Sequence, residues 1–112
     1  MGEVYRDNPL IDRLRRTAAS RMSISELETE ARRIWPEKMG ANAIVITMGV
    51  VYGDICRLVR DGNRMGADME KELGNMIFST IRWCGDLGFD PEECIRRAIA
   101  CQEEFVKGGP SG

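Results

Sequence analysis

The stretch that decides the fold is Asp68–Phe105, DMEKELGNMIFSTIRWCGDLGFDPEECIRRAIACQEEF. Apolar residues in its first half recur at spacings of three and four, the period of a helix with one apolar face. Glu72 and Asn75 fall on a different, polar face. Gly85 and Gly88 mark the end of this helix, where glycine takes a left-handed conformation at little cost. The predicted apolar stripe contains Leu73, Met76, Ile77, Thr80, Ile81, Cys84 and Leu87.

A second helix begins in the same stretch, directly after a short turn. Asp90 is suited to the N-cap, Pro91 to the first helical position, and Glu93 to a return contact with the N-cap amide. The short Gly-Phe-Asp connection makes the two helices antiparallel neighbours, that is, a helical hairpin. We expect the inward face of the second helix to contain Cys94, Ile95, Ala98, Cys101, Gln102 and Phe105.

Three segments of this hairpin resemble a known family. KELGN at 71–75, LGFDPEE at 87–93 and IRRA at 95–98, separated by an apolar run, resemble the second half of a MazG-type nucleoside triphosphate pyrophosphohydrolase. The resemblance covers roughly residues 26 to 106. It implies an all-α fold, usually dimeric or tetrameric, that holds magnesium with two acidic pairs, Glu-x-x-Glu and Glu-x-x-Asp. The implied reaction converts a nucleoside triphosphate to the monophosphate and pyrophosphate.

The family's four acidic positions are only partly acidic in this chain. They correspond to Val51, Asp54, Glu72 and Asn75, so two of the four carboxylates are present. Valine cannot bind a metal, and a neutral amide oxygen is a weaker ligand than a carboxylate for a hard cation. Where family members often carry Asn and Lys directed at the substrate, this chain has Ile99 and Cys101. The sequence therefore predicts a magnesium site that is weak or empty.

The candidate site residues follow from the resemblance and from neighbouring charges. Asp54 and Glu72 are the expected catalytic metal ligands, with Asn75 as an auxiliary ligand and Lys71 on the substrate phosphates. Asp68 lies one helical turn before Glu72 and could join a shifted metal cluster. The alternative is that these residues are solvated helix-face charges. In that case, Asp54 would pair with Arg57, Arg82 or Lys71.

Two further helices precede the hairpin. Overlapping capping boxes in SISELE, residues 23–28, start a helix that Pro36 stops. Trp35 at its end could stack on a nucleotide base, although an apolar anchor in the core is the commoner role. Residues 41–61 are apolar almost all round in their first half, which is typical of a central or interface helix. Gly49 and Gly53 in this segment would let another helix approach closely.

The two ends of the chain are predicted to lie outside the helical domain. Residues 1–22 form a predicted N-terminal arm in which Pro9 could open a weakly amphipathic helix. Its arginines could contact nucleic acid, but a solvated face is the expected role because the whole chain is acidic. Residues 108–112 read as a disordered tail, which leaves 23–107 as the MazG-like domain.

Composition limits the classes of function. The chain has 112 residues, a net charge of −2, 30% charged residues and no histidine. This size predicts one domain that shares its core in an oligomer, and the mixed charge makes nucleic acid an unlikely partner. From the sequence we expect no run of apolar residues long enough to span a membrane and no apolar signal core, and therefore a cytoplasmic protein. Mechanisms that need an imidazole are excluded, and the four cysteines lack the spacing of a zinc site.

The sequence thus predicts an all-α, MazG-like four-helix bundle with an additional N-terminal helical segment, assembled as a homo-dimer or tetramer. One functional interpretation is a divergent magnesium-dependent enzyme that cleaves nucleoside triphosphates. The other is a catalytically inactive bundle that binds a nucleotide or a protein partner. Whether the chain is an enzyme stays open at this point.

Overall fold

The computed structural model describes residues 21–108 and Pro9. Four helices follow one another in this part of the chain: α1 (Ile24–Ile34), α2 (Ala41–Arg60), α3 (Ala67–Asp86) and α4 (Pro91–Gly108). No strand occurs in the described part, so the all-α prediction is confirmed there. Pro9 is helical and exposed, while the rest of the predicted N-terminal helix and the tail 109–112 lie outside the described residues.

The first helix start matches the sequence prediction. The Ser23 hydroxyl accepts a hydrogen bond from the Glu26 amide, and the Glu26 carboxylate accepts one from the Ser23 amide. This reciprocal pair satisfies two amide donors that the first turn leaves free. The helix ends at Ile34, immediately before Trp35 and Pro36. The capping residues therefore fix both ends of α1 as the sequence predicts.

The turn between α3 and α4 is also built from the expected residues. Gly88 has a φ of 85°, and the Phe89 amide donates to the Cys84 carbonyl at 2.8 Å, which closes α3 with a glycine cap. The Asp90 carboxylate then accepts a hydrogen bond from the Glu92 amide and begins α4. Glu93 departs from the prediction, since it pairs with Arg96 and Arg97 on its own helix.

Helix α3 lies at the centre of the arrangement. It contacts α1, α2 and α4, whereas α2 contacts α3 and no other described helix. Buried side chains occur on opposite sides of α3, at Ile81 and Trp83, because helices pack on more than one side of it. Within residues 21–108 the bundle is therefore open, and few side chains are fully enclosed. The buried residues are Ala31, Ile44, Val51, Ile81, Trp83 and Pro91.

Helix α2 buries one face and leaves the others in water. Ile44 and Val51 are buried, while Val45, Ile46 and Val50 are each more than half exposed. By length and composition alone, α2 could cross a membrane, which corrects the expectation from the sequence that no apolar run is long enough. Localisation in the cytoplasm stays a prediction.

Helix α4 is anchored only through its first turns. Pro91 is buried and Cys94 is half-buried, but from Ile95 onwards every residue of the helix is exposed. The predicted inward face is therefore only partly correct, because Cys101 and Phe105 are exposed.

A buried carboxylate joins α1, the loop that follows it, and α3. The side chain of Asp86, at the end of α3, is completely shielded from solvent. It accepts hydrogen bonds from the Arg32 guanidinium of α1 at 2.6 Å and from the Met39 amide in the following loop at 3.1 Å. The Arg82 guanidinium lies 3.5 Å from its second oxygen. Arg32 also donates to the Trp35 carbonyl at 3.0 Å, so it holds the end of its own helix.

Replacing Asp86 with alanine should lower the free energy of unfolding by about 2 to 4 kcal/mol, because two arginines would lose their shared buried acceptor. Urea denaturation followed by circular dichroism measures this loss. Asp61→Ala is the matched control, since Asp61 pairs with Arg60 at the exposed end of α2 and its loss should cost less than about 1 kcal/mol. Equal losses in the two variants would contradict the role given to Asp86.

Candidate functional site

The α2 half of the expected metal site is not arranged around a cation. Val51, at the family's first acidic position, is buried and only 6% exposed. Asp54, one turn later, pairs with Arg57 on the same helix, and both side chains are partly exposed. Of the three partners that the sequence offered for Asp54, namely Arg57, Arg82 and Lys71, the structure shows Arg57. One carboxylate of the expected set is engaged by a cation of the protein itself.

The α3 half retains one unusual carboxylate. Glu72 lies eleven residues before the buried Trp83, a spacing that places both on the same side of α3. Its side chain is 13% exposed, and Lys71 Nζ lies 3.7 Å from one carboxylate oxygen, Oε1. The other oxygen, Oε2, is buried and has no hydrogen-bond partner in the described part of the protein. This oxygen can still accept a hydrogen bond or bind a cation.

Two auxiliary candidates lie in more open surroundings. Asn75 is exposed, and its side-chain oxygen accepts a hydrogen bond from the Ser79 hydroxyl at 3.3 Å. Asp68 is exposed in the first turn of α3, where a carboxylate is favoured by the helix dipole. Among residues 21–108 there is no group of three or more Asp, Glu or Cys side chains that could hold a metal ion. The candidates Asp54, Glu72, Asn75 and Asp68 therefore do not form a complete magnesium site.

Trp35 is neither a core anchor nor a free stacking platform. Its side chain is about half exposed, and the Arg82 guanidinium carbon lies 4.6 Å from the centre of its ring. This distance is within the range of a cation–π contact. Arg82 thus links the indole to Asp86, which makes Trp35 part of the α1–α3 connection.

An apolar groove lies between α1, α3 and α4. Its volume is about 470 Å³, and Ile77, Ile81 and Ile95 are among the side chains that line it. Cys84 and Cys94 also line the groove, and their thiols are close enough to share a hydrogen bond. Burial raises the pKa of the Cys84 thiol to about 11, and the contact with Cys94 acts in the same direction. The Cys84 thiol is therefore protonated at neutral pH and is a poor nucleophile.

Neither the buried ion pair of Asp86 nor the apolar groove was predicted from the sequence. A signal for Asp86 was present, since a carboxylate in the last turn of a helix is disfavoured by the helix dipole and needs a positive partner. Arg82, four residues earlier on the same helix, is a partner that the sequence offers. Arg32 could not be chosen from the sequence, because it is 54 residues away and its position depends on how α1 packs on α3.

No protein-family model, no curated protein and no solved structure matches this chain.

Cysteine labelling gives a pH-dependent test of the groove. Thiolate is the reactive form, so below its pKa the labelling rate of Cys84 should rise about tenfold per pH unit. With iodoacetamide and mass-spectrometric mapping, the rate at Cys84 should still be rising about tenfold between pH 9 and pH 10. Exposed Cys101 should react roughly tenfold or more faster at pH 8 and serves as the internal reference. If the labelling rate of Cys84 stops rising near pH 9, the burial of the Cys84 thiol against Cys94 is contradicted.

Proposed function

We propose that this chain is a MazG-like helical protein that no longer assembles a complete magnesium site and acts as a non-catalytic interaction module. The observation that carries the proposal is the large uncovered apolar surface of α2, a helix that contacts only α3 among the described helices. Exposed apolar surface of this extent is typical of an interaction site.

The arrangement of the acidic positions supports a non-catalytic role. Cleavage of a triphosphate by the family's mechanism needs several carboxylates around magnesium, which activates a water and draws charge from the phosphates. Here Val51 contributes an apolar side chain, and Asp54 is neutralised by Arg57. Asn75 contributes a neutral amide that accepts from Ser79. The negative charge that remains, on Glu72, is by itself too small to offset the free energy of dehydrating a magnesium ion.

Purified protein should release no pyrophosphate from common or damaged nucleoside triphosphates with magnesium. The expected rate equals that of Glu72→Gln, because the proposal assigns no chemistry to Glu72. A pyrophosphate assay over the full set of triphosphates measures this. Release that is magnesium-dependent and falls at least about tenfold in Glu72→Gln would overturn the non-catalytic role.

A second candidate function, a divergent nucleoside triphosphate pyrophosphohydrolase, is favoured by one observation. Glu72 is the only one of the four family positions that is both acidic and mostly buried, and its Oε2 lacks a partner within residues 21–108. A magnesium ion bound there with substrate phosphates would satisfy this oxygen. In this candidate function Lys71, whose Nζ lies 3.7 Å from Glu72 Oε1, would contact a phosphate. Asp54 could bind the same magnesium ion only after its ion pair with Arg57 breaks.

Thermal unfolding separates nucleotide binding from a purely protein-directed role. A ligand that binds only the folded state raises the unfolding midpoint, and at a hundred times its Kd it adds about 2.7 kcal/mol of stability. If the interaction role is purely protein-directed, magnesium and nucleoside triphosphates should leave the midpoint unchanged in both the native chain and Glu72→Gln. An upward shift in the native chain that Glu72→Gln abolishes would instead assign a nucleotide site to Glu72.

A further inference from the structure

We infer that the apolar groove between α1, α3 and α4 is the docking site of the chain's own N-terminal segment, residues 9–20, packed into the groove as a helix. Apart from Pro9, this segment lies outside the described residues. The groove is a different surface from the uncovered face of α2, so the inference does not depend on the interaction role proposed above. It assigns the groove to an occupant within the same molecule.

The groove exposes apolar side chains on its walls. Ile77 of α3 is 63% exposed and Ile95 of α4 is 40% exposed, although both line the groove. Ile24, the first residue of α1, lines it as well. Burial of such side chains is the main source of stability for a small domain. The groove is therefore an incomplete core that one further apolar element would complete.

The N-terminal segment has the sequence pattern of a helix with one apolar face. At 100° per residue, four of its apolar residues fall within an arc of about 100° around the helix axis. Asp12 and Arg16 lie on the opposite side, and Pro9, which is helical and exposed, also lies outside the arc. The four residues of the apolar arc are Leu10, Ile11, Leu14 and Ala18.

The segment and the groove match in length. A helix is about 12 Å long from Leu10 to Ala18, at 1.5 Å per residue. The α3 wall of the groove extends from Met76 to Cys84 and has the same length, because eight residues again separate its ends. A helix laid along the groove would therefore place its whole apolar arc against the walls.

The segment is also attached at the groove. Residues 21–23 are not helical and connect the segment to Ile24, which is itself a groove residue. Connections between the helices of a bundle are typically about 2 to 8 residues long, so this link is long enough to reverse the chain. A short link also keeps the segment at an effective concentration in the millimolar range, so even a weak contact would be populated.

Charge favours the same occupant. Residues 1–21 contain five arginines and three acidic residues, so they carry +2 and the rest of the chain carries −4. Arg13 and Arg15 lie on the two sides of the apolar arc, where docking brings them to the rims of the groove. Glu28 of α1 is half-buried beside Gly85 of α3, next to this site. A basic helix is thus brought against an acidic domain.

Two other occupants fit the groove less well. The C-terminal residues 109–112, Gly-Pro-Ser-Gly, have no large apolar side chain. A free fatty acid would need a positive partner for its carboxylate, and none of the described residues that line the groove is basic. Such a ligand would also compete with a segment tethered at the edge of the groove.

Thiol labelling of the full 112-residue chain tests the inference, because Cys84 and Cys94 line the groove. Ala18→Glu places a carboxylate on the apolar arc and should release the segment, so iodoacetamide should label Cys94 at least about fivefold faster than in the native chain. Ala19→Glu is the matched control. The same change one residue later lies about 130° from the centre of the arc and should leave the rate within about twofold. Exposed Cys101 is the internal reference and should react equally in all three proteins.

Methyl NMR provides a direct measurement that needs no variant. In a full chain with labelled Ile, Leu and Val methyl groups, the methyl groups of Leu14 should show nuclear Overhauser contacts to Ile77 or Ile95 of the groove. A mixture of labelled and unlabelled chains separates contacts within one chain from contacts between two chains.

Contacts from Leu14 to the groove within one chain, together with faster labelling in Ala18→Glu than in Ala19→Glu, would support the docking. The inference is overturned if Leu14 contacts no groove residue, if its contacts arise only between two chains, or if the two variants label alike. Protection of Cys94 by added palmitate in the native chain would overturn it in favour of a free apolar ligand.

Discussion

The buried carboxylate of Asp86 is the interaction on which the described architecture depends. Asp86 is the last residue of α3. Its carboxylate binds α1 through Arg32, the loop between α1 and α2 through the Met39 amide, and α3 itself through Arg82. An unpaired carboxylate at this helix end would be destabilised by burial and by the helix dipole together. The hydrogen bonds from Arg32 and the Met39 amide, together with the positive charge of Arg82, offset that cost only when α1, the loop and α3 are in this arrangement. The network therefore selects one packing of α1 on α3, and the position of α1 in turn shapes the apolar groove.

Local features of the fold could be predicted from the sequence because their causes are local. The Ser23–Glu26 capping box, the Asp90–Pro91 helix start and the Gly88 cap each involve residues within a few positions of one another. The extent of burial could not be predicted in this way. The predicted faces of α3 and α4 have helical spacing, yet Phe105 on the predicted inward face of α4 is 61% exposed. Periodicity identifies an apolar face but does not show what packs against it.

The candidate site could also be predicted only in part from the sequence. The sequence identifies Val51 and Asn75 as the expected ligand positions that have no carboxylate. It offered several partners for Asp54, and the choice of Arg57 required the positions of the side chains. The buried, unpartnered oxygen of Glu72 also depends on packing, because the sequence gives only a glutamate on the polar side of a helix. Together these observations describe a helical scaffold in which one carboxylate remains in an unusual setting and the other expected ligands serve different contacts.

The one-sided attachment of α4 has a consequence for how the molecule can move. Pro91 and Cys94 hold the start of the helix, and the remaining turns project into solvent. Amide hydrogen exchange along such a helix is governed by local opening, which requires little energy where few apolar contacts are lost. Protection should therefore decline from the anchored start towards Gly108. Local opening at the far end of α4 should therefore leave the Asp86 network and the central helix unchanged.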